Sequence, residues 1–190
     1  IAREYQKGRK KRVKEKEFGM SHLKKYIRDI PDFPKKGIIF KDITTLLKEA
    51  GHFKETIDIL GQRYLGKEID KIVCVDARGF IFGGALAYKL GCGFIPVRKK
   101  GKLPFKTIQA SYSLEYGRDT IDMHEDAIKE GERILIVDDI LASGGTVGAV
   151  IDLVNKLKGQ IVEIAFLIEL EFLKGREKLK DYPVFSVIKY

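Results

Sequence analysis

Two spacings of apolar residues recur along the chain, and they predict strands and helices in turn. Short uninterrupted apolar runs predict strands at Lys71–Val75, Gly93–Val97, Arg133–Val137, Val162–Ile168 and Pro183–Ile188. Apolar residues at helical spacing predict helices at Ser21–Ile30, Ala50–Leu65, Ile81–Leu90 and Thr146–Leu157. Strands that are apolar throughout and alternate with helices are typical of a parallel sheet covered on both faces. We therefore expect an α/β fold.

The segment between Arg98 and Ile128 departs from this alternation. It opens with a basic run and continues with apolar residues at every second position, at Tyr112, Leu114 and Tyr116. A period of two is typical of a strand with one buried face. We interpret residues 98–128 as a flexible β flap attached to a single domain that covers residues 20–190.

Composition excludes several classes of protein. The chain has 190 residues, of which 44% are apolar, so a disordered chain is excluded. No run approaches the roughly 20 apolar residues of a membrane span, and we expect no membrane partner. The two cysteines and three histidines show no metal-ligand spacing, so we expect no cluster of protein ligands for a metal and two reduced thiols in the cytoplasm.

The net charge of +9 is distributed unevenly. Residues 1–19 contain eight Lys or Arg and three Glu, a net charge of +5, and Met20 offers a second start. We interpret residues 1–19 as a basic extension, either solvated or disordered, and non-native sequence is a further reading. Nucleic-acid binding is the alternative for this extension alone. The basic clusters of the remaining chain fit a polyanionic substrate.

Residues Ile134–Thr146 carry the strongest chemical signal. An apolar strand ends in Asp138 and Asp139, and a turn with a serine, two glycines and a threonine then leads into a helix. Ligands of open α/β sheets bind beyond the carboxyl ends of strands, and a helix N-terminus there offers N–H groups to a phosphate. The two carboxylates can accept hydrogen bonds from ribose hydroxyls. Because an ordinary strand-to-helix turn needs only one capping residue, we expect a sugar-phosphate site here.

This motif resembles the phosphoribosyl pyrophosphate (PRPP) signature of the type I phosphoribosyltransferases. Further segments narrow the resemblance to the adenine phosphoribosyltransferases: Ile27–Pro34, Gly37–Thr44, Arg78–Gly83, Arg98–Pro104, Leu114–Gly117 and Leu173–Leu179. The resemblance implies a central, mostly parallel sheet flanked by helices, with a small hood and a flexible β flap.

The same resemblance implies an activity. It implies purine salvage, in which the 5-phosphoribosyl group of PRPP is transferred to adenine, giving AMP and pyrophosphate. It also implies Mg²⁺ held mainly by PRPP and water, with no direct protein ligand, and a cytoplasmic homodimer.

The resemblance also assigns the binding residues. The 5′-phosphate and ribose are assigned to Asp138, Asp139, Ala142, Ser143, Gly144, Gly145 and Thr146. Pyrophosphate is assigned to Asp76, Ala77, Arg78 and Gly79, together with Arg98, Lys99 and Lys102 of the flap. Adenine is expected between Phe40 and Ile140, with its edge read by backbone groups of Ile39 and Lys41. Serine is more usual in the family where this chain has Ala77.

Arg78 and Glu115 are the expected catalytic residues. The resemblance places Glu115 near the imidazole edge of adenine, where a carboxyl group can handle the proton of the attacking base. From the residues alone, Arg78 could equally be a surface arginine and Glu115 an exposed glutamate in a β-ribbon. Two other functions remain open: a 6-oxopurine phosphoribosyltransferase, and a PRPP-sensing nucleic-acid-binding regulator of the same fold.

Overall fold

The computed structural model describes residues 21–114 and 117–190, and the chain divides into two compact units after Thr56. The first unit begins with a 3-10 turn at Ser21–Tyr26. Its strands are β1 (Arg28–Pro31) and β2 (Ile39–Asp42), which pair antiparallel, and a short helix α1 (Thr44–Leu47) follows. Helix α2 (Ala50–Tyr64) begins in the first unit and ends in the second. The single domain expected over residues 20–190 stays a prediction.

The helix predicted over Ser21–Ile30 is wrong in its second half. The helical turn ends at Tyr26, and Arg28–Pro31 is a strand. Proline disfavours helical geometry in the residue before it, and Ile30 instead pairs with Phe40 of β2. The ion pair between Arg28 and Asp42, at 2.5 Å, joins the same two strands.

The second unit is built on a seven-stranded sheet. Its strands are β3 (Lys71–Val75), β4 (Gly93–Lys99), β5 (Thr107–Leu114), β6 (Gly117–His124), β7 (Arg133–Leu141), β8 (Gln160–Glu169) and β9 (Val184–Lys189). The spatial order is β5-β6-β4-β3-β7-β8-β9, and the five strands from β4 to β9 are parallel. Helices α3 (Arg78–Leu90) and α4 (Gly145–Lys156) follow β3 and β7. The expected mostly parallel α/β sheet is confirmed.

The expected β-rich flap is an antiparallel hairpin of β5 and β6. The hairpin joins the main sheet where Arg98 and Lys99 of β4 pair with Asp122 and Ile121 of β6. Its attachment therefore places the end of β4, with the basic run that follows, beside the hairpin.

The core of the second unit explains why the central strands read as apolar runs. Ile134, Leu135 and Ile136 of β7 are fully buried, as are Ile72 and Val73 of β3. In register, Val73 lies opposite Ile136, so the carboxyl ends of β3 and β7 meet at one edge of the sheet. Within the described residues, no helix is both long and apolar enough to cross a bilayer.

Candidate active site

A cavity of about 440 Å³ opens where the carboxyl ends of β3 and β7 meet. Three segments line it: Val75–Arg78, Tyr112 and Asp138–Val147. It thus brings together many of the predicted site residues: Asp76, Ala77, Arg78, Asp138, Asp139, Ile140, Ala142, Ser143, Gly144, Gly145 and Thr146. Residues from two loops that are far apart in the chain share one site.

The loop between β7 and α4 has the geometry of an anion cradle. Gly144 precedes the first helical residue with a φ of 78°, a left-handed conformation that favours glycine. Its carbonyl accepts the N–H of Gly148 at 3.0 Å, which closes the first turn of α4. The N–H groups in the first turn of a helix have no partner within the helix and carry a partial positive charge. The loop can therefore hold a phosphate largely through its main chain.

Asp138 and Asp139 lie in the wall of this cavity, within β7 itself. The sequence predicted that the strand ends at Val137, whereas it continues to Leu141. Burial, and then the neighbouring charge of Asp139, raise the pKa of Asp138 well above its ordinary value. Burial also raises the pKa of Asp139, which is 5% exposed, against the lowering effect of Arg78. Both carboxyls are poised to gain from hydrogen-bond donors on a ligand.

Arg78 begins α3 and turns its side chain onto β7. Its Nε lies 2.7 Å from Oδ2 of Asp139. The approach of α3 to β7 is tight, because a Cβ on Gly79 would lie 2.8 Å from Oδ1 of Asp138. Gly79 thus lies beside the cavity wall and lets Arg78 reach the carboxylate. In the loop between β3 and α3, the peptide bond between Asp76 and Ala77 is cis.

The cations of the flap are held by nearby acids and carbonyls. Arg98 donates from Nε to Asp76 at 2.8 Å and from Nη1 to the carbonyl of Lys102 at 3.2 Å. Lys99 lies 3.0 Å from Asp119, and this hydrogen bond raises the pKa of the lysine. Arg98 is therefore tied to the cavity through Asp76, whereas Lys99 points to the hairpin.

The predicted adenine residues belong to both units. Ile39, Phe40 and Lys41 lie on β2 of the first unit, and Ile140 lies on β7 of the second. The ring of Phe40 meets Phe33 edge-on, with centroids 5.2 Å apart. The amine of Lys41 is 2.7 Å from Asp29, so its side chain is engaged within its own unit.

Two positions within residues 98–128, Glu115 and Tyr112, remain to be placed. Glu115 lies outside the described residues. Tyr112 lines the cavity, although the sequence assigned it no role. The alternation of apolar residues in the flap predicts the strand, but it does not show which of its faces meets the loop between β7 and α4.

Known proteins give this site a family context. The phosphoribosyl transferase domain family matches residues 42–189. An adenine phosphoribosyltransferase of Geotalea daltonii is 61% identical over 171 residues, which cover 90% of this chain and 100% of the relative. The crystal structure of adenine phosphoribosyltransferase from Thermoanaerobacter pseudethanolicus has a TM-score of 0.87 at 52% identity, covering 90% of this chain and 99% of that one.

A third comparison comes from a ligand complex. The adenine phosphoribosyltransferase of Saccharomyces cerevisiae, solved with adenine and an imino-altritol bisphosphate, has a TM-score of 0.83 at 42% identity. The match covers 87% of this chain and 96% of the yeast chain. The family match, the identities and the shared fold agree, and the chain belongs to the adenine phosphoribosyltransferases.

Proposed function

We propose that this chain transfers the 5-phosphoribosyl group of PRPP to adenine, giving AMP and pyrophosphate. The observation that carries the proposal is the cavity in which the Ala142–Thr146 loop, the two carboxylates of β7 and Arg78 share one wall. A protein named for this activity is 61% identical to the chain, which supports adenine as the base. The reaction would serve purine salvage.

The 5′-phosphate and ribose are assigned to one side of the cavity. Main-chain N–H groups of the Ala142–Thr146 loop would bind the phosphate, and the hydroxyls of Ser143 and Thr146 add donors. Asp138 and Asp139 would accept hydrogen bonds from the vicinal ribose hydroxyls. This assignment suits two carboxyls whose pKa values are raised by burial, because hydroxyl donors stabilise their charge.

The leaving pyrophosphate is assigned to the loop after β3. As N9 of adenine forms its bond to C1′, the bond from C1′ to the pyrophosphate oxygen breaks, and negative charge grows on pyrophosphate. Asp76–Gly79 would surround it, with Arg78 stabilising that charge. Arg98, held 2.8 Å from Asp76, is a flap cation in position to join it. Lys99 and Lys102 would approach the pyrophosphate when the flap closes.

The base site completes the proposal. Adenine would stack between Phe40 and Ile140, with backbone groups of Ile39 and Lys41 at its edge. Glu115 would take the proton that adenine loses at N9 as the new bond forms. Closure of the flap over these groups would keep water from the reacting centre.

We propose Mg²⁺ as the cofactor, entering with PRPP. The donor set fits a hard cation, because the cavity presents the carboxylates of Asp138 and Asp139 beside the ribose position. Oxygens of PRPP and water would be its main ligands, and these carboxylates would receive hydrogen bonds from its shell. When bound, it supplies positive charge next to the leaving group.

A homodimer in the cytoplasm is the proposed setting. Support for a subunit contact comes from exposed apolar side chains on α3 and the next strand: Tyr88 is 91% exposed, Ile81 40% and Phe94 38%. The free thiols of Cys74 and Cys92 suit a reducing compartment. Sedimentation of the full chain measures the oligomeric state.

The activity is tested by measuring AMP, IMP and GMP formation from PRPP–Mg²⁺ with adenine, hypoxanthine and guanine side by side. Turnover of adenine alone is expected. Comparable turnover of hypoxanthine or guanine would instead place the chain with the 6-oxopurine enzymes. PRPP binding without turnover of any base would favour the sensor alternative.

A further inference from the structure

The Gly175–Leu179 turn packs directly behind the loop assigned to the 5′-phosphate. A Cβ on Gly175 would lie 2.1 Å from the carbonyl oxygen of Ala142, and one on Gly144 would lie 2.8 Å from the carbonyl oxygen of Gly175. Gly175 itself lies outside the cavity wall. Two residues of the phosphate loop therefore rest on the main chain of one residue of the turn.

These contacts fix the loop from its outer side. In each case the nearest atom that an added Cβ would meet belongs to the backbone, so rotation of a side chain cannot relieve that contact. Gly144 also carries the left-handed φ of 78° that aims the chain into α4. A small displacement of Gly175 would be passed directly to residues that line the cavity.

A buried carboxylate on the sheet holds the Gly175–Leu179 turn in place. Glu169 is 3% exposed and lies on β8 opposite Leu141, the last residue of β7 before the loop. Arg176 donates from Nε to Glu169 at 2.8 Å and from Nη1 to the carbonyl of Val184 at 2.9 Å. Ser186 donates to the same carboxylate at 2.6 Å. Glu169 therefore joins the turn that contains Gly175 to the sheet, next to the end of β7.

We propose that Gly175, Arg176 and Glu169 are positioning residues for the 5′-phosphate, a role that rests on the proposed function. They set the main chain of Ala142–Thr146 so that its N–H groups converge on one phosphate. An anion held by main-chain groups depends on their placement to within about 0.5 Å, so the support matters as much as the loop. Pyrophosphate, bound by Asp76–Gly79, is independent of this support.

The first test compares two glycine variants. Gly175→Ala adds the Cβ that the loop cannot accommodate, whereas Gly148→Ala adds one to α4 where nothing lies within 4 Å. Calorimetry measures the affinity of each full-length variant for ribose 5-phosphate and for pyrophosphate. We expect Gly175→Ala to weaken ribose 5-phosphate by about tenfold or more, as loss of an outer support does, with pyrophosphate within about twofold. Gly148→Ala should bind both ligands as the unchanged chain does.

Steady-state kinetics give the second readout. Gly175→Ala should raise KM for PRPP by a factor similar to the loss of ribose 5-phosphate affinity, with kcat at saturating PRPP nearly kept. Arg176 contacts Glu169 through both Nε and Nη2. Arg176→Lys keeps the charge but not this paired contact, so we expect a smaller loss of ribose 5-phosphate affinity and a smaller rise in KM for PRPP. This variant carries the test if Gly175→Ala does not fold.

Equal loss of both ligands, or a lower kcat and melting temperature with KM unchanged, would overturn the positioning role and leave a structural one. Failure of the proposed function has a different signature. The unchanged chain would then bind ribose 5-phosphate without converting adenine, while the selective loss in Gly175→Ala would still report on the support.

Discussion

The carboxyl of Asp139 is 5% exposed, and Arg78 is the cation beside it. Burial raises the pKa of this carboxyl, and the guanidinium at 2.7 Å opposes that rise. The pair thus couples the residue assigned to ribose with the residue assigned to pyrophosphate. A change at either residue alters both halves of the site.

Arg78→Ala tests this coupling. Loss of a charge-stabilising donor lowers kcat by about 10²–10³-fold in comparable sites. Without the cation, the pKa of Asp139 rises further, because the ionised form loses its partner. If ribose binding needs ionised Asp139, activity should fall off at a higher pH than in the unchanged chain. The measurement is kcat/KM against pH, with the exposed Lys129→Ala as control; an unmoved acid limb would contradict the coupling.

Glu115→Ala tests the proposed proton acceptor. Proton transfer by a positioned side chain contributes about 10²–10⁴-fold, so kcat should drop steeply while KM for PRPP changes little. The exposed Glu125→Ala, which removes a carboxylate elsewhere in the flap region, serves as the matched control. Small and equal effects of Glu115→Ala on kcat and KM would sink its catalytic role.

At the scale of elements, sequence pattern predicted those that the core dictates. The strand Lys71–Val75 is confirmed to the residue, and α2 ends one residue before its predicted end. A strand buried on both faces reads as an apolar run, and a half-buried helix shows its own period. The strand at Arg28–Pro31 was missed because its pairing with β2, not its composition, makes it a strand.

In the candidate site, too, some features can be predicted from the sequence and others depend on packing. Asp138, Asp139 and the Ala142–Thr146 loop are contiguous in the chain, so one motif predicts that they line a common site. The contact of Arg78 with Asp139 and that of Gly175 with Ala142 join distant segments, and only the packing of α3 and of the turn on β7 creates them. Tyr112 was missed for the same reason.

Helix α3 rests on β3 at a glycine, and this contact gives a prediction of stability. A Cβ on Gly83 would lie 1.9 Å from Sγ of Cys74, whereas nothing lies within 4 Å of one on Gly84. Overpacking of a core costs about 1–3 kcal/mol, so Gly83→Ala should lower the free energy of unfolding by that amount. Gly84→Ala should be neutral or stabilising by about 0.5–1 kcal/mol.

The double variant Gly83→Ala with Cys74→Ala supplies the control for mechanism. Removal of the sulfur makes room for the new methyl group, so the two changes together should cost less than their sum. Denaturant unfolding measures the free energy of unfolding of the unchanged chain, Gly83→Ala, Cys74→Ala and the double variant. Strict additivity would show that the contact between helix and strand is not the source of the loss.

For the whole molecule, the charge distribution separates the extension from the catalytic body. Residues 1–19 carry +5 of the net +9, whereas the described residues that line the cavity lie between Val75 and Val147. The Phosphoribosyl transferase domain match likewise begins at residue 42. Arg78 is the cation in this lining, and it belongs to the catalytic domain itself.

Removal of residues 1–19 should accordingly leave kcat/KM for PRPP and adenine unchanged. Any affinity for RNA or DNA, measured by fluorescence anisotropy across a salt series, should vanish with the extension. A large loss of turnover in the shortened chain would mean that the extension takes part in catalysis.

Because Arg78 is paired with Asp139, a ligand that binds Arg78 has to replace the contact that Asp139 loses. An anion without hydroxyl donors that draws Arg78 away would leave Asp139, which is 5% exposed, without this ion-pair partner, and an unpaired buried charge is costly. A ligand that brings hydroxyl donors together with its phosphates can satisfy both partners at once. Sulfate, which carries no hydroxyl group at neutral pH, is thereby a disfavoured competitor for the pyrophosphate position.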